Sequence, residues 1–342
     1  MRAKSSYSKA GIDIDAKMIA LRAVKKMVKT TVVPGQICEI GSFGGMFSSP
    51  GKNMALIAST DGVGTKLKVA VLSGRHDTVG QDIVNHCIND ILVHGAKPLF
   101  FLDYFATARF NPKIFKQVVS GLCRACRENN CALLGGETAE MPGLYPQGEY
   151  DLVGTIVGAV ERSKIITGKN IRQGDMILGL PSNGLHTNGF SLARKIIFEQ
   201  EKLDPGDIIP GVGRRVADAL LAVHRSYLRP VSALMNRVKI QGMAHITGGG
   251  FQDNVPRVLP KDVNAVFDLT AWTPPPLFRY LQERGSVDRE EMYRVFNMGI
   301  GLVIIIRAGE VPKALKILKQ SKVKALVIGK IEKGGGVVRL MN

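Results

Sequence analysis

The sequence predicts an α+β protein built from two domains, and three observations carry that prediction. The chain has 342 residues, enough for two units that each bury a core of their own. Apolar strand-like runs alternate with helical stripes but without a clean βαβ repeat, which argues against a doubly wound sheet. Around Ser163 to Gly174 the apolar pattern lapses into a polar, charged connection, so the boundary is placed there, with residues 1–165 as one domain and 166–342 as the other.

The elements follow in order. Lys17 to Lys29 reads as a helix with Met18, Leu21, Val24 and Val28 facing inward and five cations facing out. After a glycine-rich loop at Gly41 to Gly45, Ala55 to Ser59 reads as a strand. Asp82 to Val93 is helical by period: Ile83, Val84, Cys87, Ile88 and Ile91 share one face, while Asp82, His86, Asn89 and Asp90 share the other. Pro98 to Leu102 is a buried strand, Ala132 to Leu134 a short one ending at Gly135-Gly136-Glu137, and Leu152 to Val160 another. In the second domain a strand at Met176 to Leu180 precedes helices at Ser191 to Glu201 and Arg215 to Val238. Further strands fall near Ala265 to Asp268, Gly301 to Arg307 and Lys324 to Gly329, and Gly334-Gly335-Gly336 reads as a hairpin turn.

Composition narrows the function classes. A hydrophobic content of 45% with 22% charged residues describes a globular protein, and no run approaches the length that spans a bilayer. Met1 to Tyr7 carries no apolar h-region, so the expected location is the cytoplasm. The net charge of +17 raises nucleic-acid binding as a rival, but the cations are scattered and aromatic content is only 6%, with no platform for stacking bases. Five cysteines include Cys123-x-x-Cys126, a spacing that can chelate zinc. Ile114, Phe115, Val118, Val119, Leu122, Cys123 and Cys126 form one helical stripe, however, which makes the pair small core residues.

The chemistry concentrates in Ser59-Thr60-Asp61-Gly62-Val63-Gly64-Thr65-Lys66. An Asp can hold Mg²⁺, glycines admit a ligand close to the backbone, and Thr and Lys can engage phosphate oxygens, so the segment reads as a strand feeding a nucleotide-phosphate loop or, more blandly, as an ordinary turn. Neither a Walker spacing nor a dinucleotide fingerprint is present. Asp61 after a strand, Asp90 on a polar helix face and Glu137 at a strand end are predicted to point into one cleft, a set that suits Mg²⁺; each alone can also be a local cap or ion pair. Gly41 to Gly45 and Gly248 to Gly250 offer backbone N–H groups that either cradle phosphate or form turns. His186 and His245 sit in polar loop segments, whereas His76, His94 and His224 read as surface or satisfied core residues.

Taken in order, these segments resemble a known family. Tyr7-Ser8-Lys9-Ala10-Gly11-Ile12-Asp13, the Asp61 loop, Asn89-Asp90, Gly135-Gly136-Glu137-Thr138-Ala139-Glu140, Leu185-His186-Thr187-Asn188-Gly189, His245-Ile246-Thr247-Gly248-Gly249-Gly250 and Phe296-Asn297-Met298-Gly299 together are similar to the phosphoribosylformylglycinamidine cyclo-ligase family, over nearly the whole chain. The resemblance implies a two-domain ATP-binding synthetase fold with a mixed sheet in an N-terminal domain that forms a homodimer. It implies ring closure of formylglycinamidine ribonucleotide to aminoimidazole ribonucleotide, driven by ATP with Mg²⁺ and releasing ADP and phosphate. ATP would lie on Asp61, Gly62, Gly64, Thr65, Lys66, Asp77, Asp90, Gly136 and Glu137, with the metal on Asp61, Asp90 and Glu137. Substrate would lie on Gly44, Gly45, Asn188, Thr247, Gly248 and Gly249, and His186, His245 and Lys66 would serve catalysis. Ser42 and Phe190 depart from the family's usual glycine and tyrosine. Formylglycinamidine synthase, selenophosphate synthetase and thiamine-phosphate kinase share the superfamily's cleft, but the chain has no glutaminase-like stretch and no cysteine before Cys38. No membrane and no specific nucleic acid are expected as partners.

Overall fold

The computed structural model describes residue 37, residues 45–49 and residues 51–342. The expected helix at Lys17 to Lys29, Cys38 and the glycine cradle at Gly41 to Gly44 lie outside the described residues. No described helix is long and apolar enough to cross a membrane.

The first sheet has the order β1-β2-β5-β3-β4, formed by Gly45–Ser48 (β1), Met54–Gly62 (β2), Lys97–Thr107 (β3), Ala132–Glu140 (β4) and Tyr150–Glu161 (β5). It is mixed, because β3 pairs parallel with β4 and antiparallel with β5. Helices Lys66–Ser73 (α1), Val79–Leu92 (α2) and Pro112–Glu128 (α3) belong to this half. Every residue of α2 is buried. One face lies on the sheet, a second meets α3, and the polar face predicted from the sequence is covered by the other half of the chain. Gly80 and Gly121 let α2 and α3 touch, since a Cβ on Gly80 would stand 2.2 Å from Val118 O and one on Gly121 2.5 Å from Asp77 O. Asn111 starts α3, accepting N–H bonds from Lys113 and Ile114. Cys126 is buried on the inner stripe and Cys123 half-buried, both as free thiols.

The second sheet has the order β11-β8-β10-β6-β9-β7. Its strands are Met176–Pro181 (β6), Ile240–His245 (β7), Val263–Asp268 (β8), Ile300–Ile306 (β9), Leu326–Lys333 (β10) and Val338–Met341 (β11). Seven further helices accompany it: Phe190–Arg194 (α4), Val216–Leu220 (α5), Leu228–Met235 (α6), Gly250–Asn254 (α7), Pro276–Gly285 (α8), Arg289–Val295 (α9) and Val311–Gln320 (α10). All seven residues of β9 are buried, which makes this strand the centre of the second core.

Four sequence expectations need correction. The helix expected from Arg215 to Val238 is two helices, α5 and α6, with 221–227 unwound between them. The reason is tertiary: α2 supplies the hydrogen bonds a helix would have supplied, through Asp82 to His224 N, Asn85 to His224 O, and Asn89 to Arg225 O and Tyr227 N. The helix after Ser191 continues from α4 as a π-turn over Lys195–Gln200. The triple glycine is not a hairpin, because β8 lies between β10 and β11 and pairs parallel with β11; Asn264 Oδ1 instead accepts the N–H groups of Gly335 and Val337. Finally, β4 does not stop at Gly135-Gly136-Glu137 but runs through them to Glu140.

Candidate functional site

The two halves meet on a buried polar ring. From the first come Asp61 at the end of β2 and Asp82, His86, Asn89 and Asp90 on α2. From the second come His186 and Thr187 after β6, His224 in the unwound segment and His245 at the end of β7. His86 Nε2 stands 2.8 Å from Asp61 Oδ2 and 3.7 Å from Asp90 Oδ2, and its Nδ1 meets Thr187 Oγ1 at 2.7 Å. Thr187 Oγ1 reaches His224 Nδ1 at 3.5 Å, His224 Nε2 faces His245 Nε2 at 3.1 Å, and His245 Nδ1 returns to Asp90 Oδ1 at 2.8 Å. Ser59 donates to the other Asp90 oxygen at 3.1 Å. The loop is thus closed across the domain seam, with only the Asp61 side chain substantially exposed, at 44%.

The electrostatics differ around this ring. Burial works to strip the proton from His86, but the carboxylates of Asp61 and Asp90 outweigh it and lift the imidazole from 6.5 to about 9. Burial raises Asp61 in turn, yet the His86 charge and the Gly62 N–H bring its carboxyl down to about 2. His186 and His224 are pushed well below the usual histidine range, first by burial and then by neighbouring positive groups. His245 is also lowered by burial, against the pull of Asp90. One charged imidazole therefore sits beside three neutral ones. Among the described residues, His186, His224 and His245, and likewise His86, Asp90 and His245, bring three ligand-type atoms within 4.8 Å.

A second polar centre lies beside the first. Lys66 Nζ is 2.8 Å from Asp82 Oδ2, with both side chains fully buried. It donates to His186 O at 3.1 Å and Ala222 O at 2.9 Å, so all three ammonium protons are engaged within the protein. Asp82 Oδ1 accepts from His224 N at 2.7 Å. An ion pair on the first domain thereby holds the backbone of the second at three points. Lys66 was expected to face phosphate; sealed in this way, it is instead a strut under the His186 loop, where His186 itself has φ 62°, a left-handed conformation uncommon for a residue with a side chain.

The other expected residues separate into those brought together and those kept apart. Asn188, Thr247, Gly248 and Gly249 converge: a Cβ on Gly248 would lie 3.1 Å from Asn188 Oδ1, and buried Asn254 ties the loop by donating to Gly250 O at 2.7 Å. Gly64 and Thr65 are exposed beside them, and Thr65 Oγ1 lies 3.1 Å from Ser191 Oγ across the seam. Gly62 donates its N–H to Asp61 Oδ1 at 2.7 Å. Gly45 opens β1, where it pairs with Ala58, three residues before Asp61 on β2. Asp77 is an exposed turn residue.

The expected metal trio is divided. Asp61 aligns with Gly154, Gly154 with Asp103, and Asp103 with Gly136, so these positions form one row whose side chains face the helices. Glu137 belongs to the next row, opposite Tyr104, and alternation along the strand turns it to the other face. Three strand spacings separate β2 from β4, about 14 Å. One chain therefore does not bring Glu137 to Asp61. Asp90 is close to Asp61 but buried, with His245 and Ser59 on its oxygens, whereas Asp61, though it also accepts from Gly62 N and pairs with His86, is the carboxylate that reaches solvent. His86, His224, Asn85 and Asn89 complete the site; the polar face of α2 announced His86 and Asn89, whereas no motif or pattern in the sequence announced Asn85 or brought His224 to the site.

Two mixed α+β halves thus meet on a polar seam, with a solvent-exposed carboxylate at a strand end beside glycine-rich loops. Two family models match, the AIR synthase related protein N-terminal domain over residues 44–160 and its C-terminal domain over 172–341. The chain is 50% identical over 331 residues to the phosphoribosylformylglycinamidine cyclo-ligase of Geobacter sulfurreducens, covering 96% of this chain and 95% of that protein. It is 43% identical over 340 residues to that of Alkaliphilus metalliredigens, covering 98% of each. The fold also resembles thiamine-monophosphate kinase from Stenotrophomonas maltophilia, with a TM-score of 0.65, 15% identity and 92% and 93% of the two chains covered. For a hydrogenase maturation protein HypE in complex with ATP the score is 0.61 at 19% identity, covering 91% and 85%. The chain belongs to the phosphoribosylformylglycinamidine cyclo-ligase family, and it is accordingly an ATP-dependent ligase of purine biosynthesis acting on a small-molecule substrate.

Proposed function

We propose that the seam between the two halves is where this enzyme closes the imidazole ring of formylglycinamidine ribonucleotide, and that the halves divide the two ligands. ATP lies on the Asp61-Gly62-Val63-Gly64-Thr65 loop, and substrate phosphate on Asn188, Thr247, Gly248 and Gly249. The convergence of Asn188 on Gly248 beside Thr65 is the observation that carries this reading, since it sets two loops of opposite origin within reach of one molecule. Mg²⁺ fits Asp61, whose carboxylate is exposed and kept ionised by His86. When bound, the metal would offset charge on the ATP oxygens. Asp90 supports from behind, orienting His245 and His86, while Asp77, exposed on its turn, stays at the rim.

The chemistry needs the formyl oxygen made into a leaving group by phosphorylation, then attack on that carbon by the amidine-side nitrogen with expulsion of phosphate. His186 and His245, buried and held neutral, act from behind the cleft: His245 through its bonds to Asp90 and His224, and His186 through the loop that carries Thr187 and Asn188. Lys66 contributes by fixing the His186 loop rather than by touching phosphate. The enzyme acts as a cytoplasmic homodimer through the sheet face opposite α2, where Phe47 and Leu102 are 45% and 37% exposed; Glu137 lies on that same face. The two domains are taken to meet at 165/166. His245→Ala should depress turnover or raise the KM for formylglycinamidine ribonucleotide far more than it weakens ATP binding. Loss of ATP affinity with substrate binding untouched would move His245 to the nucleotide.

A further inference from the structure

A cavity of about 1080 Å³ lies along the connection between the two halves, at the opposite end of the strands from the histidine ring. Met54, at one end of β2, pairs with Glu161 there, while Asp61 pairs with Gly154 at the other end. Seven residue steps along β2 separate the two places by about 24 Å. β7 likewise begins in the cavity wall at Ile240 and ends at His245.

Its charge is one-sided. Among the described residues, Lys97, Arg162, Lys164, Lys169 and Lys239 line it against the single carboxylate of Glu161, and that carboxylate is already paired with Lys164 at 2.6 Å. The cations come from separate places in the fold: the start of β3, the turn after β5, the connection itself and the approach to β7. Their convergence is therefore tertiary rather than a run of basic sequence. Among the described residues, Lys97, Lys169 and Lys239 have no carboxylate partner. Like charges gathered in a concave wall repel one another and focus a positive potential into the space between them. Apolar side chains, among them Met54, Ile166 and Val238, supply a floor beside the charge.

We propose that this cavity is a second anion site, which takes a phosphorylated small molecule of the nucleoside di- or triphosphate class, with its phosphates on Lys97, Lys169 and Lys239 and its ring on the apolar floor. Lysines supply the countercharge, so binding there requires no metal. Because both halves contribute to the wall, an occupant stabilises their docking. The proposal uses no feature of the ring-closing site and stands or falls separately from it.

Equilibrium dialysis with ADP in excess EDTA tests it on the full-length protein. Saturable binding of one ADP per chain is expected, displaced by inorganic tripolyphosphate and weakened about tenfold or more in Lys169→Glu/Lys239→Glu, while ring closure with saturating ATP and Mg²⁺ stays near wild type. Retained ring closure also shows that the variant folds; should the double reversal fail to fold, Lys169→Ala/Lys239→Ala serves in the same assay with a smaller loss. No saturable ADP binding in EDTA, binding that tripolyphosphate leaves in place, or equal affinity in the folded variant overturns the proposal.

Discussion

Lys66→Met is the substitution that separates a strut from a phosphate contact. Methionine keeps much of the length but removes the charge. Asp82 would then retain only the His224 N–H on Oδ1, with Oδ2 unpaired, and the carbonyls of His186 and Ala222 would lose their donor. Breaking a buried ion pair from one side costs about 3–5 kcal/mol, because the remaining charge stays out of water. For a domain of this size that corresponds to a fall in Tm of about 6–20 °C. Thermal unfolding followed by circular dichroism reads this directly, and an ATP titration below the transition reads the alternative. Adding Asp82→Asn to Lys66→Met should restore part of the loss, since it removes the stranded carboxylate, so the double-mutant cycle should show favourable coupling. A Tm within about 2 °C of wild type together with lost ATP affinity would refute the argument and return Lys66 to the nucleotide.

Four other outcomes follow from the structure. Asp90→Asn keeps the shape but removes the charge that orients His245 and supports His86, so ATP affinity in Mg²⁺ should fall while the fold survives; an unchanged ATP titration with intact activity would reduce Asp90 to a local structural role. His86 is raised from 6.5 to about 9, so its contribution to stability is complete below 6.5 and is lost as pH rises through 9, and urea titrations across that window should show stability falling in wild type but much less in His86→Gln. The neutral His186, His224 and His245 act with the opposite sign: below 6.5 the unfolded chain takes up protons that the folded one refuses, so stability should also fall on the acid side. Cys126 packs on the inner stripe of α3, so Cys126→Ala should retain catalysis and the pair should carry no stoichiometric zinc; bound zinc lost together with activity on this substitution would contradict that.

The parts legible in the sequence are those fixed locally. The apolar run before Asp61 is β2, the stripe through Ile83, Val84 and Cys87 is α2, and the stripe through Cys126 is α3. The polar face of α2 could be read as well, but not its purpose: periodicity shows that Asp82, His86, Asn89 and Asp90 share a side, not that another domain will cover it. That covering explains most of the remainder. It unwinds the chain at His224, which helical pattern alone carries straight through, and it buries Lys66, whose place in a glycine loop suggested solvent and phosphate. Glu137 was hidden for another reason. Strand alternation decides which face a residue takes, and the register of β4 against β3 is a long-range fact that no short motif states.

Incubating the purified protein with formylglycinamidine ribonucleotide, ATP and Mg²⁺ tests the central claim most directly. Aminoimidazole ribonucleotide should form with one ADP and one phosphate released per ring closed, with no requirement for glutamine or added ammonia. Product that appears only with an ammonia source, or phosphorylation of thiamine phosphate in its place, would contradict the account and move the chain to a sister activity of the same fold.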